Sequence, residues 1–214
     1  MHERRFHHSQ AHRLEAPERL TWLPPAEVVK ALHVRAGEAI ADVGAGTGYF
    51  ALPLAKAAGP SGIVFAVDAQ PEMLDLLRAK VAGRAQHNIR FIQAEADATG
   101  PPEETCDLVF LANIWHEFDN RALVLEETQR ILKPGGRIAI LDWRPDVDRE
   151  PGPPLDHRLS AESAALELAQ AGFEDVTAAH TGKYSWLVQG RLAQSAQAQG
   201  TQVQDSEVPG RPLA

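Results

Sequence analysis

The sequence predicts an α/β chain: a mostly parallel sheet with helices on both faces, closed by an antiparallel C-terminal hairpin. Three observations carry this. Five short apolar runs alternate with helix-forming segments between residues 38 and 143. Three glycines at alternate positions, Gly44, Gly46 and Gly48, follow directly on the first run. Two final strand-like runs flank a Thr-Gly-Lys turn at residues 181–183.

In chain order, residues 1–23 are polar and rich in His and Arg. Residues 22–34, WLPPAEVVKALHV, read as a helix after a proline turn. Residues 38–43, EAIADV, form the first strand, and residues 49–59 a helix that Gly59 ends. A second strand spans residues 62–69 and a helix residues 71–83, with Pro71 at its start. Residues 88–96 alternate as a third strand, and residues 106–114 are a continuous apolar fourth. The amphipathic helix at 121–136 ends in Pro-Gly-Gly, and RIAILDW, residues 137–143, is the fifth strand. A Pro/Gly/Asp-rich loop at 144–154 interrupts the rhythm and is expected over the active site. Ser160 caps a helix at 160–172, and residues 173–190 make the hairpin. From residue 191 on the chain is Gln/Ala/Ser-rich without a core pattern, so a disordered tail is expected at 191–214. The organisation read from this is an N-terminal helical extension or lid at 1–37, one domain at 38–190, and the tail.

Composition narrows the function. At 214 residues, 44% of them hydrophobic, the chain supports one sizeable core. Its net charge of -8 withholds the counterion-release term that drives nucleic-acid binding, so no nucleic-acid partner is expected. Cys106 is the single cysteine, which excludes an internal disulfide and fits a reducing compartment. No run approaches the roughly 18 apolar residues of a membrane span. The first twenty residues lack the apolar stretch of a signal peptide. A cytoplasmic location follows as an expectation, and a homodimer stays open.

The glycine loop does not follow the dinucleotide fingerprint, whose third glycine would fall at Tyr49. Asp42, just ahead of the loop, repels a pyrophosphate and suits an ammonium. Asp68 closes the second strand, where it can accept hydrogen bonds from both hydroxyls of a ribose. Glu95, or Asp97 two residues on, closes the third, where it suits an exocyclic amine. A ligand with a cationic amino-acid end, a ribose and an adenine but no phosphate satisfies all three, and S-adenosylmethionine is such a ligand. The glycines let backbone approach it closely.

With these motifs together, the chain resembles the class I S-adenosylmethionine-dependent methyltransferases. ADVGAGTGYF resembles their first motif, VFAVDAQPEML their second, IRFIQAEADA and CDLVFLANIWHEFDN the third and fourth, and RILKPGGRIAILDW the turn and strand after the fourth. Within the class the likeness is to the small-molecule branch of ubiquinone/menaquinone-type enzymes. The resemblance implies a Rossmann-like seven-stranded sheet, mostly parallel, with the seventh strand antiparallel. It also implies roles. Asp42, Gly44, Ala45, Gly46, Thr47, Gly48 and Tyr49 would surround the methionine end. Asp68 would hold the ribose, Ala69, Glu95 and Ala96 the adenine, and Asn113 would lie under the methionine end.

On the acceptor side, His116 after the fourth strand is either a general base or a brace for its loop. Glu117, its sequence neighbour, is poorly placed to orient it. Arg19, Arg144 and Arg158, with Arg13, are candidates for an acidic group on a substrate. Trp22, Trp115 and Trp143 are candidates for the pocket wall or for the core. His116-Glu117 is not followed by the second His of a zinc-protease motif, and His7, His8 and His12 lack further ligands, so no metal is expected. One cysteine disfavours a thiol-relay arsenite methyltransferase. Asp42 and Tyr49 disfavour a nicotinamide oxidoreductase. The expected function is methyl transfer from S-adenosylmethionine to a small-molecule acceptor. The alternative is a non-catalytic S-adenosylmethionine-binding module.

Overall fold

The computed structural model describes residues 6–83, 87–147 and 151–194. Its sheet has seven strands in the order β3-β2-β1-β4-β5-β7-β6. These are β1 (Ala39–Val43), β2 (Ile63–Asp68), β3 (Ile89–Gln93), β4 (Cys106–Ala112), β5 (Leu132–Trp143), β6 (Phe173–Thr181) and β7 (Ser185–Leu192). Strands β1 to β5 pair in parallel, while β7 runs antiparallel to both β5 and β6. The expected sheet and closing hairpin are both present.

Helices cover both faces, which is why the central strands β1, β2, β4 and β5 read as largely unbroken apolar runs while the outer β3 alternates. On one face Ala41, Val43, Val67, Val109, Leu111, Ile138 and Ile140 pack under α5 (Arg121–Ile131) and α6 (Ala161–Gln170). On the other, Ile40, Val64, Ala66, Leu108, Phe110 and Leu141 pack under α2 (Pro25–Ala31), α3 (Ala51–Ala58) and α4 (Pro71–Val81). The capping signals act as read: Pro25 and Pro71 open their helices, Gly59 closes α3 at φ 69°, and the Ser160 hydroxyl accepts from the Ser163 amide.

Two boundaries differ from the sequence reading. Helix α5 stops at Ile131, and β5 starts at once with Leu132 paired to Cys106. The Pro-Gly-Gly turn is a bulge within the strand's span, because Pro134 has no amide to continue either a helix or a ladder. At the far end β7 reaches Leu192, pairing Arg191 with Arg137 and Leu192 with Phe173, so the expected tail starts at least two residues later. The chain beyond residue 194 lies outside the described residues. The polar N-terminus also folds: His8–Glu15 is a 3-10 helix and α1 (Arg19–Trp22) a single turn. Neither has a strong local signal, and both are held by contacts with the rest of the molecule.

The topology places the site. After β3 the chain returns to the other side of β1 to form β4, so the carboxyl ends of β1 and β4 diverge around a crevice. The glycine loop leaves β1 there, and Asn113 leaves β4 with φ 59°. Gly48 sets how closely the loop seats on α4: a Cβ at this position would overlap the Leu77 Cδ1 methyl, and its φ of 87° is costly for any other residue. Gly48→Ala is expected to cost about 1–3 kcal/mol through this overlap and strain. Thermal and denaturant unfolding measure it, and an unchanged midpoint contradicts the packing role.

Candidate active site

The glycine loop is held by backbone bonds to β2. The amides of Gly44 and Ala45 donate to the Val67 carbonyl at 2.8 and 3.0 Å. The Gly46 amide donates to Asp68 Oδ2 at 2.8 Å, and the Gln70 amide donates to Asp68 Oδ1 at 2.9 Å. A Cβ on Gly44 would lie 2.6 Å from Ile114 Cδ1, so glycine is required where the two strand ends approach.

The N-terminal segment lies over this loop. The hydroxyl of Thr47 and the ammonium of Lys80 both donate to Glu15 Oε1, and Lys80 also donates to the Thr47 carbonyl at 2.7 Å. Gln70 accepts from the His8 amide at 2.9 Å and donates to the Phe6 carbonyl at 2.8 Å. The Phe6 amide in turn donates to Glu117 at 3.1 Å. Glu15, Gln70 and Phe6 were not legible as site residues, because each is recruited across more than thirty positions of chain.

Between these parts lies a cavity of about 540 Å³. Most of the residues singled out in the sequence line it: Asp42, Gly44, Ala45, Gly46, Thr47, Tyr49, Asp68, Ala69, Glu95, Ala96, Asn113 and His116, with Arg19, Trp22 and Trp143. Glu95 is in the wall and its rival Asp97 is not.

Four residues are not in that wall. Gly48 packs against Leu77. Trp115 is fully buried in the core under α6, where its indole donates to Glu167 at 3.1 Å. Arg144 is paired with Asp146. The Arg158 guanidinium donates to the carbonyls of Arg144, Val147, Pro151 and Pro153, and so ties residues 144–147 to residues 151–153. That loop does reach the site, with residues 151–154 in the wall. Cys106 lies in the core away from the cavity, and burial, with Asp107, pushes its thiol up to about 12. Among the described residues no group of three or more His, Cys, Asp or Glu is placed to hold a metal.

Two side chains in the wall are conspicuously unsatisfied. Asp42 is 1% exposed and, among the described residues, its Oδ2 has no hydrogen-bond partner and neither amide atom of Asn113 has one. Buried polar groups are nearly always paired, so three orphaned atoms at the mouth of the crevice mark a ligand's place. Burial, and then the neighbouring charge of Asp68, push the Asp42 carboxyl up to about 7.

His116 is paired with a residue the sequence reading did not single out. Its Nδ1 lies 2.8 and 3.0 Å from the two carboxylate oxygens of Asp142, at the end of β5, and its amide donates to the same carboxylate at 2.9 Å. A carboxylate only accepts, so Nδ1 carries the hydrogen and Nε2 is the basic nitrogen. Burial alone lowers the imidazole's affinity for a proton. The charge and hydrogen bond of Asp142 outweigh it, and the pKa stands above the ordinary histidine value. An acid in the otherwise apolar RIAILDW strand was the available signal, since β5 lies beside β4 in the sheet.

Residues 40–136 match the family model described as a methyltransferase domain. The chain is 31% identical over 167 residues to the demethylmenaquinone methyltransferase of Shouchella clausii, covering 78% of this chain and 68% of that one. It belongs to the methyltransferases. A crystal structure of a SAM-dependent methyltransferase from Aquifex aeolicus superposes with a TM-score of 0.83 at 32% identity, covering 88% of this chain and all of that one. The ubiquinone/menaquinone biosynthesis C-methyltransferase of Hahella chejuensis is 34% identical over 111 residues. The match spans 45% of that enzyme, and the chain spans about half the length of most of the curated relatives it matches. No helix among the described residues is long and apolar enough to cross a membrane.

The raised pKa of Asp42 has a consequence for stability. Its folded value, about 7, exceeds its ordinary value of 3.8, so the folded chain binds the proton more tightly. Stability contributed by this group is full below the ordinary value and declines as pH rises through about 7. Asp42→Asn is thus expected to raise the melting temperature of the ligand-free protein more at pH 8 than at pH 5. Equal gains at both pH values contradict a buried ionising carboxyl.

Proposed function

We propose that the protein transfers the methyl group of S-adenosylmethionine to a protic atom of a small-molecule acceptor, with His116 as the base. The observation that carries this is His116, lining the same cavity as the glycine loop and held through Nδ1 by the buried Asp142 behind it. The relatives named for ubiquinone, menaquinone and demethylmenaquinone support a small-molecule acceptor.

The donor fits the residues present. The unpartnered Asp42 carboxylate and the Asn113 amide suit the ammonium and carboxylate of an amino-acid end. The glycine loop leaves room for it, and Asp68, with two oxygens of several acceptor sites each, suits a ribose diol. Glu95 and Ala96, at the end of β3, suit the adenine. Bound here, S-adenosylmethionine supplies an electrophilic methyl on a sulfonium.

The chain's own contribution is position and a proton acceptor. Methyl transfer needs the nucleophile, the carbon and the sulfur in line, and a fixed cavity wall provides that alignment. His116 Nε2 receives the acceptor's proton. Asp142 fixes the ring through Nδ1 and stabilises the imidazolium that results. The N-terminal 3-10 helix, bound to Thr47 through Glu15, acts as a lid that keeps water from the reacting atoms. The protein works in the cytoplasm on this reading, without nucleic acid.

Calorimetry with S-adenosylmethionine and S-adenosylhomocysteine tests the donor site: both are expected to bind, and Asp68→Ala is expected to weaken them about tenfold or more through lost charge-assisted hydrogen bonds. Binding of NAD in their place overturns the donor assignment. The base is tested by turnover against pH once an acceptor screen yields activity. His116→Ala is expected to lower kcat about 10²–10⁴-fold with little change in donor affinity. The rate is expected to rise through a pKa above the ordinary histidine value, because only neutral His116 accepts a proton. Asp142→Asn shifts that rise to lower pH and lowers kcat, and a profile that does not move contradicts the pairing.

A further inference from the structure

Arg19 stands apart from the other arginines near the cavity. Arg13 also lines the cavity but is exposed to solvent and donates to Gln10, Arg144 is paired with Asp146, and Arg158 is spent on backbone carbonyls. Arg19 lines the cavity, is 7% exposed, and gives one hydrogen bond, from Nη1 to the Leu14 carbonyl at 3.2 Å. Its guanidinium carbon lies 3.8 Å from the centre of the Tyr49 ring. Among the described residues it has no carboxylate partner. Glu15, whose charge it feels, is engaged by Lys80 and Thr47.

A guanidinium carries five donors and is expensive to bury without an anion. The ring of Tyr49 offsets part of that cost. Burial accordingly pulls Arg19 down to about 10, which leaves it charged at neutral pH. The cavity is also polarised. Two of its carboxylates, Asp42 and Asp68, sit at the ends of β1 and β2, where the donor's ammonium and ribose would bind, and Glu95 follows β3; Glu117, beside His116, accepts from the Phe6 amide. Arg19 instead shares its short helix with Trp22, whose ring lies 5.4 Å from that of Trp143.

We propose that Arg19 anchors an anionic oxygen group of the methyl acceptor, so that the acceptor is an acidic small molecule carried against Trp22 and Trp143. This rests on the methyltransferase reading above. The fork geometry of the guanidinium pairs with a carboxylate through two parallel hydrogen bonds, which fixes orientation as well as position. Such an anchor places the acceptor's protic group relative to His116. The same chemistry exists on the methionine end of the donor, so the test must separate the two sources.

The probes are benzoate and its neutral isostere benzamide, titrated by ligand-observed NMR into the full chain saturated with S-adenosylhomocysteine. Their flat ring suits the tryptophans, and they differ at the group Arg19 would bind. Wild type is expected to prefer benzoate by about tenfold, the worth of a charge-assisted pair. Arg19→Met is expected to abolish that preference, and Arg19→Lys to keep part of it. S-adenosylhomocysteine should bind Arg19→Met about as it binds wild type.

No preference in wild type, or an undiminished one in Arg19→Met, overturns the proposal. So does a large loss of S-adenosylhomocysteine binding with 5′-methylthioadenosine binding unchanged, which would give Arg19 to the donor's carboxylate. If Arg19→Met fails to show a cooperative melt, Arg19→Lys decides: a preference equal to wild type's contradicts the fork, and a reduced one supports it. Failure of wild type to bind S-adenosylhomocysteine at all sinks the methyltransferase reading. Binding it without discriminating benzoate from benzamide sinks this inference alone.

Discussion

The carboxylate of Asp68 ties together the parts on which the site depends. One oxygen accepts from the Gly46 amide and the other from the Gln70 amide. The first bond fixes the loop after β1, and the second fixes the start of α4. Gln70 then holds Phe6 and His8, so the N-terminal segment is positioned by the same anchor at one remove. Because the carboxylate is 8% exposed, these charge-assisted bonds operate away from bulk water, where they are strongest. A donor ribose would complete an arrangement that the backbone has already oriented.

The ligand-free site is held at a cost. Asp42 is buried beside Asp68 with an unpaired oxygen, and Asn113 sits at positive φ with neither amide atom satisfied. Arg19 is buried with no carboxylate partner among the described residues. Each of these groups would be improved by the ligand proposed for it: an ammonium for Asp42, an amino-acid end for Asn113, an acidic acceptor for Arg19. Stability is given up where binding is needed, and the large apolar cores on the two faces of the sheet sustain it.

The charge pattern within the cavity divides its labour. Carboxylates at the ends of β1 and β2 favour a cationic donor. The wall also holds His116, made more basic by Asp142, with Glu117 next to it in the chain, and Arg19. On the proposed reading a cationic donor would meet the carboxylates and an acidic acceptor would meet Arg19, with the proton acceptor lining the same cavity. The Arg158 guanidinium belongs to this design indirectly, because the carbonyls it gathers hold the 151–154 stretch against the cavity.

By itself the sequence determined the layer architecture, the strand at which the glycine loop begins, and the acids at the ends of β1 and β2. Those are local properties: apolar runs of strand length, helix caps, and residue types set immediately after a strand end. It also marked His116. Only the tertiary structure decided which candidates share the cavity. Trp115, Arg144 and Arg158 match the chemistry of a pocket as well as Trp143 and Arg19 do, yet the first packs into the core and the other two bind Asp146 and a loop's carbonyls. Asp142 meets His116 because β5 lies beside β4, and Glu15 meets Thr47 because a weakly helical N-terminus is docked there. The physical reason is that a side chain's environment is set by pairing and packing across the chain. Residue type and spacing fix what a group can do, and the order of the strands fixes what it faces.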